Sequence, residues 1–336
     1  MSTATHVPET SRFGREELSA DDARATLSHI GVRRLLVDAF RRMRYGDGFS
    51  STRALAYQFV LSLIPLLIAF VGLSSTIRAD KLAGALRQTI LSITPGGKSD
   101  AFKQVLTRGL SEGGGGGRIA LVVGLVAALV SLTTAMAQIE RGANRIYGIQ
   151  RDRPTGQKYS RAALLVLTGG IPAMLGFVVI IAGGALVDSL QAAYGWGDST
   201  ATVLQVLRWP VGIALGLLAV TAMFRSAPRR RQPGFSWLGV GAAVALVLWL
   251  VFSALLAFYI SHSSSFGAVY GSLTGMFALL LWSWLTSLAL FLGVAFAAQL
   301  EAVRAGVPSP VALDPEDDPA ARHEQTVVLR PEAARP

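Results

Sequence analysis

Six long apolar segments dominate this chain and constrain its fold more than any other feature. Each is about as long as the roughly 20 residues that an α-helix needs to cross a bilayer core about 30 Å thick. Backbone polar groups in lipid must be satisfied within the segment, and these runs are too uniformly apolar for membrane β-strands. The segments cover 54–75, 118–139, 161–187, 202–224, 236–260 and 272–300. The sequence therefore predicts an all-α polytopic membrane bundle of six transmembrane helices within 46–304.

Composition and motifs argue against a soluble enzyme. Only 15% of the residues are charged, against roughly 25% in ordinary soluble domains. The chain has no cysteine, which excludes disulfides and thiolate metal sites. It shows no histidine and carboxylate pattern with metal-ligand spacing and no phosphate or dinucleotide fingerprint. We expect no catalytic residue, no metal and no cofactor.

The distribution of lysine and arginine predicts the orientation of the bundle. Nine basic residues precede the first span, six lie in the loop 140–161 and four in the turn 225–235, whereas the loops 188–201 and 261–271 hold none. Basic short loops stay in the cytoplasm, so both termini are expected there. The loop 76–117 carries six basic residues and argues weakly against this. Because topology accounts for the net charge of +10, no nucleic-acid partner is expected.

Three segments flank or interrupt the predicted spans. Residues 1–29 are polar and are expected to form a disordered tail, as is the acidic and proline-rich stretch 305–336. The long loop 76–117 is expected outside, with two short amphipathic helices on either side of a Pro-Gly-Gly break.

Residues 30–45 predict a basic amphipathic helix at the membrane interface. Apolar residues recur there at helical spacing, and Arg33, Arg34, Arg41 and Arg44 lie among them. Such a helix buries its apolar face in the acyl boundary and places its arginines on anionic lipid headgroups. The alternative is a soluble helix packed on the cytoplasmic face of the bundle.

Arg208 is the main ionisable residue within a span and the first candidate for substrate binding. It lies about seven residues into the fourth span, followed by Trp209 and Pro210. One interpretation is a fixed cation that lines an outward cavity and binds an anionic headgroup or pairs with Asp188. The alternative is an arginine that reaches to the outer interface beside an interfacial tryptophan.

Two further groups of polar residues are candidates for a substrate path. Tyr57, Gln58 and Ser62 precede Pro65 in the first span, where a missing amide donor favours a kink. Thr134 and Gln138 share a helix face with arginines at the inner end of the second span. That polar stripe is either a substrate path towards the cytoplasm or a set of capping groups and salt bridges at the interface.

Three stretches resemble the YihY/BrkB family of bacterial envelope membrane proteins, over about 35–304. The first is Ser51 to Pro65, with Ala-Leu-Ala-Tyr and Leu-Ser-Leu-Ile-Pro elements. The second is Asn-Arg-Ile-Tyr at 144–147, followed by Arg153, Pro154 and Lys158. The third is Ser261 to Trp282, with Phe266, Tyr-Gly-Ser-Leu at 270–273, Gly275 and Leu-Leu-Leu-Trp at 279–282.

The resemblance also has a departure. After Gly293 the family commonly reads Ala-Glu-x-Asn-Ala-Glu-Leu, whereas this chain has Ala295, Ala297 and Gln299, and only Glu301 keeps a charge. The resemblance implies a multi-pass protein of the bacterial inner membrane, linked to envelope integrity and lipid transport. It also brings a ribonuclease label, which the missing catalytic groups do not support.

Two functions follow as expectations. The favoured one is a transporter or flippase for a lipid or an amphiphilic anion, with anionic membrane lipids as partners. The alternative is an envelope scaffold that does not transport and that binds protein partners. The sequence allows a homo-oligomer or an envelope protein partner and decides neither.

Overall fold

The computed structural model describes residues 6–9, 18–76, 116–149, 151–262, 274–307 and 310. Every regular element among these residues is helical, so the all-α expectation is confirmed for them. Residues 77–115 of the expected outer loop and 311–336 of the expected C-terminal tail lie outside the described residues.

Nine α-helices follow one another in this part of the chain. They are α1 (Ala20–Ile30), α2 (Val32–Tyr45), α3 (Gly48–Thr76), α4 (Gly116–Ile146), α5 (Thr155–Leu165), α6 (Ile171–Tyr194), α7 (Asp198–Ser226), α8 (Phe235–His262) and α9 (Thr274–Arg304). The predicted spans fall within α3, α4, α5 to α6, α7, α8 and α9, except for residues 272–273, which lie outside the described residues.

Five helical segments of the described residues are long and apolar enough to span a membrane. They are Leu121–Ile146, Thr155–Ile180, Asp198–Ser226, Phe235–His262 and Thr274–Arg304. The predicted first span lies within α3, a helix of 29 residues, which is not one of these five.

A π-helical turn at Val166–Gly170 joins α5 to α6. The amide of Ile171 donates to the carbonyl of Val166, and Pro172, which has no amide hydrogen, follows at once. The helix thus widens into a π-turn just before a residue that cannot donate a backbone hydrogen bond. Pro172 therefore lies just after a π-turn, while α3, where a kink was predicted at Pro65, continues through that proline as one α-helix.

The long helices form three antiparallel pairs, α3 with α4, α6 with α7 and α8 with α9. Contacts between α9 and α3 and between α8 and α7 join the pairs into one bundle, and α1 and α2 pack on α9. We call the end of the bundle that carries α1, α2, the loops 147–154 and 227–234 and the C-terminus of α9 the basic end. The opposite end is the far end.

Buried apolar side chains concentrate towards the basic end. In α4, Ile139 and Ile146 are buried, whereas Val122, Val126 and Val130 nearer the far end are exposed by 60%, 59% and 63%. In α9, a continuous buried stretch runs from 293 to 302. The pairs are thus packed together at the basic end, and their far halves expose apolar side chains that suit contact with lipid.

Small residues let the paired helices approach closely, as is usual between helices in membranes. A Cβ added to Gly293 of α9 would lie 2.5 Å from the Ala245 Cβ and 2.8 Å from the Gly241 carbonyl oxygen of α8. Both neighbours are rigid, because one is a backbone atom and the other an alanine Cβ. The α8–α9 distance therefore requires glycine at 293.

A helix occupies the last part of the expected disordered tail 1–29, so the expectation is corrected for residues 20–29, while residues 1–5 and 10–17 lie outside the described residues. This helix is α1, where the Ser19 amide donates to the Asp22 carboxylate at 3.0 Å and caps the helix. Ala23 is fully buried and Thr26 nearly so, because α1 packs on α8 and α9. Polar composition alone had hidden this docking face.

We predict that Gly293→Ala destabilises the bundle by about 1–3 kcal/mol, because the added methyl group overpacks the α8–α9 contact. Thermal unfolding of the purified protein in detergent measures the effect. The control is Gly156→Ala, since a Cβ at Gly156 meets nothing within 4 Å. That variant should be neutral or stabilised by up to about 1 kcal/mol. Equal unfolding temperatures for the two variants would contradict the close contact.

Candidate functional site

Arg208 lies deep in the α6–α7 pair. It is ten residues from the start of α7 at Asp198, or about 15 Å at 1.5 Å per residue, which is about a third of the length of this 29-residue helix. A cation within an apolar span is costly and marks a functional candidate when it faces the protein.

Two consecutive glycines of α6 accommodate the Arg208 side chain. A Cβ at Gly184 would collide with the Arg208 guanidinium, and one at Gly183 would lie 3.4 Å from the Arg208 Cδ. The Arg208 Nε is buried and has no hydrogen-bond partner among the described residues. The guanidinium carbon also lies 5.5 Å from the ring centroid of Trp209. Arg208 therefore lines the seam between α6 and α7.

Asp188 does not pair with Arg208 among the described contacts, which corrects that part of the sequence interpretation. Its carboxylate accepts a hydrogen bond of 2.7 Å from the Gln205 Nε2 instead. The reason is the antiparallel register: Gly184 lies level with Arg208, so Asp188, one turn closer to the far end, lies level with Gln205. The Arg208 charge is left without a carboxylate among the contacts that the structure describes.

The polar candidates of the first two spans form a separate group at the α3–α4 contact. Gln58 Nε2 donates to the Ser131 carbonyl at 3.2 Å, which joins the two helices. Ser62 and Thr134 donate to carbonyls of their own helices, at 2.8 and 2.7 Å. Tyr57 is 63% exposed, and Gln138 is half-buried. Among the described contacts, no hydrogen bond joins this group to Arg208.

The structure adds a set of buried polar residues that the sequence analysis missed. We call it the basic-end cluster, and its members are Arg42, Tyr147, Arg230, Gln299 and Glu301. Arg42 Nε donates to the Gln299 Oε1 at 2.9 Å, and an Arg230 NH2 group pairs with the Glu301 Oε1 at 2.5 Å. The Arg230 guanidinium also lies 4.7 Å from the Tyr147 ring centroid. The cluster connects α2, the two basic-end loops and α9.

Burial perturbs two titrating groups of this cluster. It lowers the pKa of Arg42 to about 10, because desolvation disfavours the charged guanidinium. It raises the pKa of the Tyr147 phenol, again because desolvation disfavours the charged form. At neutral pH Arg42 is therefore still a cation and Tyr147 is neutral.

A second buried ion pair lies beside the cluster. Arg153 NH1 is 2.9 Å from the Glu140 Oε1, and neither side chain is more than 9% exposed. The same guanidinium donates to the carbonyls of Ala227 and Pro228, at 3.0 and 3.1 Å. Arg153 therefore connects α4 to the end of α7.

The loop 147–154 contributes the remaining contacts. Asp152 accepts hydrogen bonds from the Lys158 Nζ at 2.9 Å and from the Asn144 Nδ2 at 3.1 Å. Partial burial raises the pKa of Asp152, but these hydrogen bonds and the nearby cations outweigh it and lower the pKa below its usual value. Of the arginines at the inner end of the polar stripe on α4, Arg141 lies 3.7 Å from the same carboxylate and Arg145 pairs with Asp47, so this end of the stripe forms salt bridges.

The four arginines assigned to the membrane surface are all exposed on α2. The opposite face of α2, with Leu35, Ala39 and Met43, is buried against the bundle. Apolar residues remain exposed beside the arginines, among them Val32 at 53% and Phe40 at 47%. One face of α2 thus packs on the bundle, and the other keeps the composition of an interfacial helix.

Comparison with known proteins identifies the family. The family model described as virulence factor BrkB matches residues 39–315. The chain belongs to the BrkB family. This confirms the resemblance drawn from the three sequence stretches. No solved structure matches the chain.

Relatives of this BrkB protein carry membrane or ribonuclease-like names. The ribonuclease-like protein YfkH of Bacillus subtilis is 25% identical over 260 residues, which cover 77% of this chain and 92% of YfkH. UPF0761 membrane protein XAC0937 of Xanthomonas axonopodis is 26% identical over 266 residues, or 76% of this chain and 58% of that protein. UPF0761 membrane protein azo3165 of Azoarcus is 25% identical, and 62% of its length is covered. The chain thus spans about three fifths of these two longer relatives.

We predict that Arg42→Ala lowers the free energy of unfolding by about 2 kcal/mol or more, because it removes a charged donor and leaves Gln299 with an unmet acceptor in the core. Arg44→Ala is the matched control, since Arg44 is exposed on the same helix, and surface changes usually cost under about 0.5 kcal/mol. Chemical unfolding in detergent compares the two. Equal losses of unfolding free energy in the two variants would contradict the stabilising role of the buried Arg42.

Proposed function

We propose that this BrkB-family protein crosses the bacterial inner membrane six times, with the basic end and both termini in the cytoplasm. α3, the first of the long helices along the chain, is the span added to the five segments given above, because it is 29 residues long and pairs antiparallel along α4. The positive-inside bias supports the orientation, since the basic loops and α2 all lie at the basic end.

Within this topology, we propose transport or flipping of a lipid or an amphiphilic anion. The observation that carries the proposal is Arg208, held about a third of the way along α7 against Gly183 and Gly184. Its buried Nε is without a hydrogen-bond partner among the described residues. A half-buried cation whose buried Nε has an unused donor favours an anionic ligand that supplies the missing acceptor.

The packing of the bundle supports movement of an amphiphile along this seam. The helix pairs are packed together at the basic end, and apolar side chains in their far halves are exposed, among them Val203 at 62% and Val206 at 66% on α7. An anionic headgroup at Arg208 could keep its acyl chains in contact with such surfaces. The arrangement corresponds to a carrier that is closed at the basic end.

The exposed face of α2 fits anionic lipids as a second point of contact. Its arginines would lie at headgroup level, each contributing about 1 kcal/mol near an anionic surface, while Val32 and Phe40 enter the acyl boundary. This face equally suits an envelope scaffold that holds partners at the membrane. The proposal assigns the chain no enzymatic activity, cofactor or nucleic-acid partner.

We expect purified protein in vesicles to accelerate the inward movement of a headgroup-labelled anionic phospholipid. Arg208→Ala should slow this movement by about tenfold or more, because a tenfold change requires the loss of only about 1.4 kcal/mol of interaction with the headgroup. Arg208→Lys should keep part of the rate. Chemical reduction of the label on the outer leaflet measures the movement.

The control is Arg161→Ala, which removes an exposed arginine of α5 and should leave the rate unchanged. Wild-type and Arg208→Ala rates equal to those of protein-free vesicles would contradict transport. Membrane crosslinking that recovers a stoichiometric protein partner, together with that result, would support the scaffold.

A further inference from the structure

A short N-terminal segment docks into the basic end, although it is far from the bundle in sequence. Residues 6–9 are described, and Val7 is only 2% exposed and belongs to the main hydrophobic core. His6, next to it, is exposed. One apolar side chain of an otherwise polar tail is therefore inserted into the bundle.

Backbone hydrogen bonds hold this segment on both of its sides. The Val7 amide donates to the Tyr147 carbonyl at 3.3 Å. The Arg230 guanidinium donates to the Val7 carbonyl at 3.0 Å and to the Pro8 carbonyl at 3.2 Å. The segment thus bridges the end of α4 and the loop between α7 and α8.

Arg230 is the centre of this arrangement. Besides the segment, it pairs with the Glu301 carboxylate at 2.5 Å and covers the Tyr147 ring. Its side chain is 3% exposed, so water does not satisfy its donors. The planar guanidinium holds a carboxylate and two peptide carbonyls at once, as its fixed fork of donors permits.

The sequence of the segment suits such a site. Proline at position 8 restricts Val7 to extended backbone conformations, which lowers the entropy lost on docking. The hydrogen bonds of the segment use backbone carbonyls and one amide, and the side chain of Val7 provides the apolar anchor. Tyr147, Arg230 and Glu301 therefore form a groove for a short extended peptide with one small apolar side chain.

We propose that this groove is a peptide-binding site whose occupant is the chain's own segment 6–9, and that the segment acts as a plug which must leave before the basic end can open. The plug fastens the end of α4 to the α7–α8 loop, and relative movement of these two parts would open the basic end. The binding half of the inference stands alone, whereas the gating half rests on the proposed transport.

The absence of cysteine from the chain permits a direct test of docking. Val7→Cys and His6→Cys each introduce a single thiol into purified protein in detergent, and the rate of maleimide labelling is measured. Val7→Cys should react at least about tenfold more slowly than His6→Cys, because burial of a side chain this size strongly favours the docked state. Equal rates would overturn the peptide site.

Two arginine variants test which contact holds the plug. Arg230→Ala in the Val7→Cys protein should raise labelling to the His6→Cys rate. Arg229→Ala should not, because Arg229 donates to the Arg151 and Asp152 carbonyls instead. Protection that survives Arg230→Ala would contradict the assigned groove. If Arg230→Ala fails to fold, the ratio between Val7→Cys and His6→Cys decides the question.

Deletion of residues 2–9 separates plugging from transport. In the vesicle assay with the labelled anionic phospholipid, the deletion should raise the rate at least about twofold if the plug restrains opening. A protected Val7→Cys with an unchanged rate would overturn the gating half alone. If wild-type protein moves no lipid, the transport proposal fails, while the labelling ratio still decides the peptide site.

Discussion

Buried charge pairs at the basic end are the constraint on which the bundle depends. Arg230 with Glu301 and Arg153 with Glu140 lie almost entirely out of water. Removing one partner of such a pair strongly destabilises the fold, because the other charge remains buried without compensation. The pairs therefore require α4, the loops 147–154 and 227–234 and α9 to meet in one arrangement.

The far half of the bundle follows a different principle. There the α6–α7 pair is held by small residues and by side-chain hydrogen bonds that include those from Gln205 to Asp188 and from Gln191 to Asp198. Close backbone approach replaces charge pairing as the source of specificity. Arg208 lies in this pair, and the same helix α7 ends at the carbonyls that Arg153 binds. α7 is thus the direct physical connection between the candidate anion site and the charge pairs.

The spans and the helix α2 could be predicted because their causes are local. Lipid requires long apolar runs, and helical periodicity separates the faces of α2. Arg42 was missed because only Arg33, Arg34, Arg41 and Arg44 were assigned to the membrane surface and Arg42 was given no role. The spacing of Arg42 in the sequence did indicate burial, since Arg42 lies seven residues after Leu35 and three after Ala39 and thus shares their buried face.

The partners of the buried charges could not be predicted from local pattern. Gln299 is 257 positions from Arg42, and Glu301 is 71 positions from Arg230. Such contacts arise only once the helices are packed. Glu301 keeps a charge where the other polar positions of the family pattern are lost, but only the structure gives that charge a partner, Arg230. The docked segment at Val7 was hidden for the same reason, because its contacts are with residues beyond position 140.

A double-mutant cycle on Arg230 and Glu301 tests the central claim most directly. Unfolding free energies are measured in detergent for Arg230→Gln, Glu301→Gln and the double variant. The account predicts that each single change costs about 3 kcal/mol and that the double change costs about as much as one of them, because the second removal leaves no buried charge unpaired. Single costs that add to within about 0.5 kcal/mol would contradict it.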